Sequence, residues 1–311
     1  LAVWEMLDAL RASLSEKKPK LPVFDIFDLV GLPEDFSFSM GNSKLLSIPR
    51  NFSRHIPRDA RPARESSGGV FGGMLERRCE FEVVVKSPTF EFDCESGWPI
   101  EKSTIIDVEQ RHAVALSTSL VTEKERPTAA RWRATITLDP LRGVGQSYSS
   151  RSATLGSHYV LSTGECKKLT EHLTTIGSLD IKPIEMAIGR FLSSTTNRDD
   201  QQDSLVDAVI GLESLFGGRA EISLSVASGV ANLLGKDADE RRDLFETAKK
   251  IYNARSALVH GSTKQISKLD IHSIRISAVD LLKRSILELL ENRSDLLSLS
   301  GQERVKELVI G

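Results

Sequence analysis

Residues 240–261 read ERRDLFETAKKIYNARSALVHG, and this stretch organises the C-terminal half of the chain. At 100° per residue, five of its side chains fall within about 60° of one line along a helix: Leu244, Ala248, Ile251, Arg255 and Leu258. The pattern predicts a helix that packs this face against a core or an interface. Arg255 lies on the same face, and a guanidinium there needs a partner.

Helical patterns continue on both sides of this stretch. Ser162 and Glu165 have the spacing of a capping box, and Pro183 fits the first turn of the next helix. Gly217 and Gly235 fit the ends of two further helices, each with an apolar stripe. Short connections make neighbouring helices antiparallel, so the pattern predicts an up-and-down helical bundle.

The N-terminal half has a different periodicity. Between 79 and 139, β-branched residues are frequent and apolar positions alternate with polar ones. Three segments fit strands: CEFEVVVKS at 79–87, TIIDVEQRHAVALSTSLVT at 104–122 and RWRATITLD at 131–139. Residues 21–60 read as irregular structure. Because no helical pattern separates the strands, an antiparallel sheet is expected.

These patterns predict an α+β protein with two domains. The first, residues 1–160, is expected to be β-rich and antiparallel. The second, residues 161–311, is expected to be an up-and-down α-helical bundle. Hydrophobic residues make up 40% of the 311-residue chain and charged residues 27%, which is enough apolar material for a core.

The net charge and the cysteine content limit the classes of function that fit this chain. The net charge of −2 is unlike that of a basic nucleic-acid coat protein, so any nucleic acid must meet a local patch. The three cysteines are far apart and show no metal-ligand spacing, which predicts free thiols in a reducing, cytoplasmic compartment and no metal site. No apolar run approaches the roughly 18–20 residues of a membrane helix, so no membrane partner is expected.

Residues 50–64 form the most basic stretch, RNFSRHIPRDARPAR. It contains one acidic residue and five arginines: Arg50, Arg54, Arg58, Arg61 and Arg64. Its two prolines and the glycines that follow indicate a loop. This loop is either a solvated, mobile segment or an arm that contacts the phosphates of RNA.

Arg255 and His260 form the candidate catalytic pair. Glu213, at the edge of an apolar stripe, is a plausible internal partner for the guanidinium of Arg255. His260 lies on a different helical face, about 7.5 Å further along the axis, so the two residues border one groove without stacking. Two copies of the helix packed about a two-fold axis would bring four such groups together in a homodimer.

Such a site suits phosphoryl transfer in RNA. A neutral histidine can take the proton of a 2′-hydroxyl, and an arginine can stabilise the charge that grows on the phosphate oxygens. The expected product is a 2′,3′-cyclic phosphate, and no metal or cofactor is required. The structural alternative is that Arg255 pairs with Glu213 while His260 caps the helix C-terminus.

Three segments resemble the HEPN family, and most closely its ApeA-type domains: DSLVDAVIGLESLFGG at 203–218, EISLSVASGVANLLG at 221–235 and AKKIYNARSALVHG at 248–261. The resemblance covers about 181–311. The family motif is an arginine, four to six residues, and a histidine, which Arg255 and His260 match. Tyr252 and Ser256 belong to the same string. Where the ApeA-type pattern often has an arginine, this chain has Gly229.

The resemblance implies a helical bundle that dimerises and brings two motifs together at the interface. Many such domains are metal-independent ribonucleases that act as toxins or effectors in antiviral defence, abortive infection or stress. Under this hypothesis His260 is the acid/base, Arg255 stabilises the phosphate, and Ser256 and Asn253 support them. In similar proteins the N-terminal domain senses or recruits another molecule.

Two alternatives stay open. One is a non-catalytic HEPN module that dimerises or binds RNA while the N-terminal domain binds a ligand, peptide or nucleic acid. The other is a structural protein in which both halves mediate assembly. Cleavage of RNA without metal, compared between the wild type and variants at Arg255 and His260, separates these possibilities.

Overall fold

The computed structural model describes residues 20–28, 30–49, 52–58, 61–62, 72–80, 108–122, 130–139, 143–148, 159–198, 200–218, 221–261 and 269–310. The chain forms two compact units. We call Leu1–Val114 with Ala130–Lys167 the sheet unit, and Ala115–Ala129 with Lys168–Gly311 the helical unit. The predicted strand at 79–87 lies outside the described residues beyond position 80.

The described strands are β1 (Lys20–Asp28), β2 (Val30–Gly31), β3 (Ser37–Met40), β4 (Ser43–Ser47), β5 (Gly72–Glu80), β6 (Arg131–Asp139), β7 (Gly143–Tyr148) and β8 (Tyr159–Val160). Six of them form one sheet in the order β3-β4-β5-β1-β6-β7, with antiparallel neighbours throughout. The short strands β2 and β8 pair in parallel. The predicted α+β class, an antiparallel sheet followed by helices, is confirmed.

The prediction of irregular structure at 21–60 is wrong, because β1, β3 and β4 lie there. Strand β1 is central in the sheet, and every residue from 23 to 28 is buried. A strand buried on both faces does not show the alternation of apolar and polar residues that marks a half-exposed strand. On one face, Phe24 and Ile26 pack with Met74, Ala134 and Ile136.

The segment at 104–122 was predicted as a strand and instead contains a helix, α1 (Val108–Val121). Its residues from 116 to 122 are all buried, including Ser117, Thr118 and Ser119. A helical segment whose buried residues include hydroxyl groups as well as apolar side chains lacks the one-sided apolar stripe that reveals a surface helix. The side chain of Lys283 donates to the carbonyl of Thr122 at 2.6 Å and thereby closes the C-terminal end of α1.

A buried ionic network covers the second face of the sheet. Asp25 is fully buried and accepts from Arg77, Arg111 and the hydroxyl of Thr135, each at 2.6 Å. Arg111 projects from α1 and also lies 4.5 Å from the ring centre of Trp132. A buried carboxylate is tolerated when its oxygens are paired in this way, so the network fixes the first half of α1 against β1 and β6.

The other described helices are α2 (Thr163–Ser178), α3 (Glu185–Leu192), α4 (Gln201–Phe216), α5 (Ile222–Leu234), α6 (Ala238–Val259), α7 (Ile271–Glu291) and α8 (Gly301–Ile310). A π-helical turn, Ser193–Asn197, separates α3 from α4. The predicted capping box is confirmed, because the Ser162 N–H donates to Glu165 at 2.8 Å and the Glu165 N–H donates back at 3.3 Å. Pro183 lies in the turn that leads into α3, as predicted.

Arg304 ties α8 to the end of α4. Its side chain is 1% exposed, and it donates to four backbone carbonyls: Leu215 at 2.6 Å, Leu296 at 3.1 Å, Leu297 at 3.2 Å and Leu299 at 2.8 Å. Four acceptors satisfy the guanidinium without a carboxylate. A side chain at Gly301 would place its Cβ 2.9 Å from the carbonyl oxygen of Gly217, so this junction excludes one. No described helix has the length and apolarity needed to cross a lipid bilayer.

Candidate functional site

Helix α6 carries the Arg/His pair and is capped at both ends. The Asp237 carboxylate accepts from the backbone N–H groups of Asp239 at 3.1 Å and Glu240 at 2.8 Å. At the other end Gly261 has a φ of +66°, a left-handed conformation that glycine adopts without strain. The helix predicted within 240–261 is confirmed, and it ends at Val259.

Arg255 lies beside Glu213, which α4 presents to α6. We call Glu213, Tyr252 and Arg255 the Glu213 cluster. The Arg255 Nη2 atom is 3.8 Å from the Glu213 Oε2 atom, and the side chains are 24% and 21% exposed. At this distance the two side chains form an ion pair but no hydrogen bond. The Arg255 Nε atom is buried and has no hydrogen-bond partner among the described residues, so the guanidinium keeps unused donor capacity.

Tyr252 is the third member of the Glu213 cluster. It lies close enough to Glu213 for the carboxylate to influence the pKa of its phenol. Burial raises the pKa of Tyr252, the charge of Glu213 raises it further, and Arg255 opposes the shift. The phenol therefore stays protonated at neutral pH.

His260 does not join this cluster. It is exposed and follows the last helical residue, where its backbone N–H donates to the carbonyl of Ser256 at 3.0 Å. In the described part of the chain, no hydrogen bond or ion pair links its side chain to Arg255. Asn253 is exposed and Ser256 is half-buried. One copy of α6 therefore presents a partly buried arginine that pairs with Glu213 and, beyond it, an exposed histidine.

Some of these positions fit the catalytic interpretation of Arg255 and His260, and others fit the structural alternative. The ion pair between Arg255 and Glu213 and the position of His260 at the helix C-terminus belong to the structural alternative. The 3.8 Å ion pair leaves the Nη2 atom without a hydrogen bond to Glu213, so this end of the guanidinium can bind an anion. An exposed imidazole on the same helix can exchange a proton with a bound substrate.

The packing of Gly229 explains why the chain has no side chain at that position. Phe216, at the end of α4, is fully buried. A Cβ atom at Gly229 would lie 2.5 Å from the ring of Phe216, which is closer than non-bonded carbons approach. The ring occupies the place that a longer side chain would need. An arginine there requires a different contact between α4 and α5.

The basic stretch is described only in part. Arg50, Arg64 and the side chain of Arg54 lie outside the described residues. Arg58 and Arg61 are exposed, and the Arg61 Nε atom donates to the carbonyl of Ile56 at 2.9 Å. The predicted phosphate-contacting role of these arginines stays a prediction.

A second polar cluster, which the sequence analysis did not identify, surrounds Asp207 on α4. Asp207 is 2% exposed and accepts from Arg190 at 2.7 Å, Ser193 at 2.8 Å and Arg198 at 2.7 Å. We call these four residues the Asp207 cluster. Burial alone would raise the pKa of Asp207, but the hydrogen bonds from Arg198, Ser193 and Arg190 lower it below the ordinary value. The signal in the sequence is an acid inside the apolar segment LVDAVIGL at 205–212.

Comparison of the chain with models of known protein families, with curated proteins and with solved structures gave no match. Within the described ranges, no three His, Cys, Asp or Glu side chains converge as a metal-binding group.

Proposed function

We propose that this protein is a HEPN-type, metal-independent endoribonuclease that acts as a homodimer in the cytoplasm, in a defence or stress role. The observation that supports the proposal is the state of Arg255. Its guanidinium is partly buried, and its Nη2 atom lies 3.8 Å from the Glu213 carboxylate, which is too far for a hydrogen bond. A phosphate oxygen is a suitable acceptor for such a guanidinium nitrogen.

The proposed chemistry divides between two residues. Arg255 stabilises the negative charge that develops on the phosphate as the 2′-hydroxyl attacks. His260, exposed at the end of α6, takes the proton of that hydroxyl. The attack expels the 5′-oxygen of the next nucleotide and leaves a 2′,3′-cyclic phosphate. Because one α6 presents the two groups separately, we place the complete site between the α6 helices of two copies, with Ser256 and Asn253 in support.

Cleavage of end-labelled RNA in excess chelator tests the catalytic roles. We expect Arg255→Ala and His260→Ala each to lower the cleavage rate by about 100-fold or more, because each removes one part of transition-state stabilisation. Arg242→Ala is the matched control, since Arg242 is a highly exposed arginine on the same helix. The cyclic phosphate end is identified by its resistance to phosphatase before acid treatment.

Equal cleavage by the wild type and both variants would remove the catalytic assignment. Light scattering tests the dimer, and a strict monomer at working concentration would remove the composite site.

The non-catalytic RNA-binding module is the second candidate. It is favoured by the position of His260 at the helix C-terminus and by the exclusion of a side chain at Gly229. RNA that binds but is not cleaved, with an affinity that His260→Ala leaves unchanged, would select this candidate.

A further inference from the structure

Part of the basic stretch is anchored to the sheet unit. A short 3₁₀-helix, Phe52–His55, begins where the Phe52 N–H donates to the carbonyl of Pro49 at 2.9 Å. The Phe52 ring packs edge-to-face against Phe24, with 4.9 Å between the ring centres. Ile56, the next residue, is 1% exposed and belongs to the apolar cluster that contains Phe24. These contacts hold the segment against the sheet.

Cationic and imidazole side chains are exposed on this anchored segment. His55, Arg58 and Arg61 are spaced three residues apart, and all three are exposed. The Arg61 N–H donates to the Arg58 carbonyl at 3.4 Å, and such a turn keeps its first and fourth Cα atoms within about 7 Å of each other. The Arg61 Nε atom donates to the carbonyl of Ile56 at 2.9 Å. We call Phe52, His55, Arg58 and Arg61 the basic turn.

The side chains of the basic turn match the chemistry of single-stranded nucleic acid. Among the described residues no carboxylate pairs with Arg58, so its guanidinium is available to a phosphate. By contrast, Arg77 and Arg133 of the same unit are buried beside carboxylates. The exposed His55 ring lies 5.8 Å from the Phe52 ring, and an exposed ring can stack on an unpaired base. A lipid surface offers phosphates but no base.

We propose that the basic turn binds single-stranded RNA, with Arg58 and Arg61 on the phosphates and His55 stacked on a base. The basic turn belongs to the sheet unit, whereas the Glu213 cluster belongs to the helical unit. A role for this surface in supplying substrate for cleavage rests on the proposed function. The binding of RNA by the basic turn does not.

Fluorescence anisotropy of the full chain with labelled single-stranded 2′-O-methyl RNA of mixed sequence measures this binding, because a methylated 2′-oxygen cannot attack the phosphate. The titration is repeated at several salt concentrations. Arg58→Gln should weaken binding several-fold at low salt and reduce the slope of log affinity against log salt by about 0.7, the share of one phosphate contact on a single strand. Arg78→Gln is the matched control, since Arg78 is an exposed arginine on β5, and it should leave the slope unchanged.

His55 tests the stacking contact separately. His55→Ala should weaken binding by about 5-fold or more without changing the salt slope, because a stacking contact releases no counterions. His55→Tyr keeps an aromatic ring and should bind within about 2-fold of the wild type. The substituted side chains are exposed, and urea unfolding of each variant checks that the fold is retained.

Two results on RNA would overturn the proposal: a loss after Arg58→Gln no larger than that after Arg78→Gln, or an unchanged affinity after His55→Ala. Vesicles of equal parts phosphatidylserine and phosphatidylcholine test the other polyanion. If Arg58→Gln weakens binding to these vesicles but not to RNA, the surface contacts a membrane and the proposal is wrong.

The binding measurement also separates this proposal from the proposed function. If the variants of the basic turn weaken RNA binding but the wild type cleaves no RNA, the basic turn is supported and the proposed function fails. Cleavage that Arg255→Ala abolishes, together with unchanged RNA binding by the variants of the basic turn, would give the opposite result.

Discussion

Helix α4 carries two carboxylates that meet arginines in opposite ways. Asp207 is almost fully buried and accepts three hydrogen bonds at 2.7–2.8 Å from Arg190, Ser193 and Arg198. Glu213 is 21% exposed, and its arginine, Arg255, remains 3.8 Å away. Both oxygens of the first carboxylate are hydrogen-bonded, and the residue is almost fully buried. The second leaves its arginine with donors to offer, which is the property a binding site needs.

The comparison also shows that the exposure of an arginine does not determine whether its donors are engaged with a carboxylate. Arg190 and Arg198 are more exposed than Arg255, yet their contacting nitrogens are fully engaged with Asp207. An exposed arginine in a tight pair stabilises the fold, whereas a partly buried arginine in a loose pair can change partners. Exposure alone therefore does not show which of these arginines is hydrogen-bonded to its carboxylate.

Among the substitutions that test this comparison, Asp207→Ala is expected to change the free energy of unfolding most. Asp207→Ala leaves two arginines and a hydroxyl without their shared acceptor. We expect a loss of about 2–3 kcal/mol in the free energy of unfolding, less than for a fully buried pair because the arginines are partly solvated. Urea unfolding measures it. Glu213→Ala is the matched variant and should cost less than about 1 kcal/mol. Equal losses would end the distinction between the two carboxylates.

A smaller effect is expected from removing one donor of the Asp207 cluster. Ser193→Ala deletes the hydroxyl but leaves both arginines on Asp207. We expect a loss of about 1 kcal/mol, the usual value of one hydrogen bond to a partly buried acceptor. The same unfolding measurement applies, with Ser277→Ala as the control because the hydrogen bond from that hydroxyl to the Ser273 carbonyl on α7 is exposed to solvent. A loss near that of Asp207→Ala would mean that the hydroxyl organises the cluster.

The smallest expected effect is on the stability of the fold at low pH. The pKa of Asp207 is lowered in the folded state, so its contribution to stability is present above the unfolded value near 4 and is lost as the pH falls through the folded value. The wild type should therefore lose stability between about pH 5 and the acid limit of the measurement. Asp207→Asn should lose less over the same interval. Identical slopes for the two proteins would show that the carboxylate is not stabilised in its charged form.

Helices with one buried face could be predicted from the sequence, because a 3.6-residue period and local caps are properties of the chain itself. The capping box at Ser162 and the turn at Pro183 need no tertiary information. Elements with buried polar residues are harder to predict. The sequence pattern predicts a strand where α1 lies and irregular structure where β1 lies, because Asp25 and the hydroxyls of Ser117 and Ser119 interrupt the apolar pattern.

The candidate site, like the fold, could be predicted only in part. The pairing of Arg255 with Glu213 could be predicted, because a guanidinium on an apolar stripe requires a carboxylate. The length of that pair could not be predicted, because it depends on how closely α4 and α6 approach. The Asp207 cluster was missed because its donors come from α3 and the π-helical turn, whose folded path the sequence does not reveal.

Arg304 has a consequence for how this chain can vary. Its four acceptors are backbone carbonyls, which every amino acid supplies. Residues 215, 296, 297 and 299 can therefore change identity without removing an acceptor, although their own packing still limits the choice. Lysine at 304 could not replace the arginine, because a single nitrogen cannot reach four carbonyls arranged around a planar fork. Covariation between side chains would not reveal this junction, whereas the constancy of Arg304 and of Gly301 would mark it.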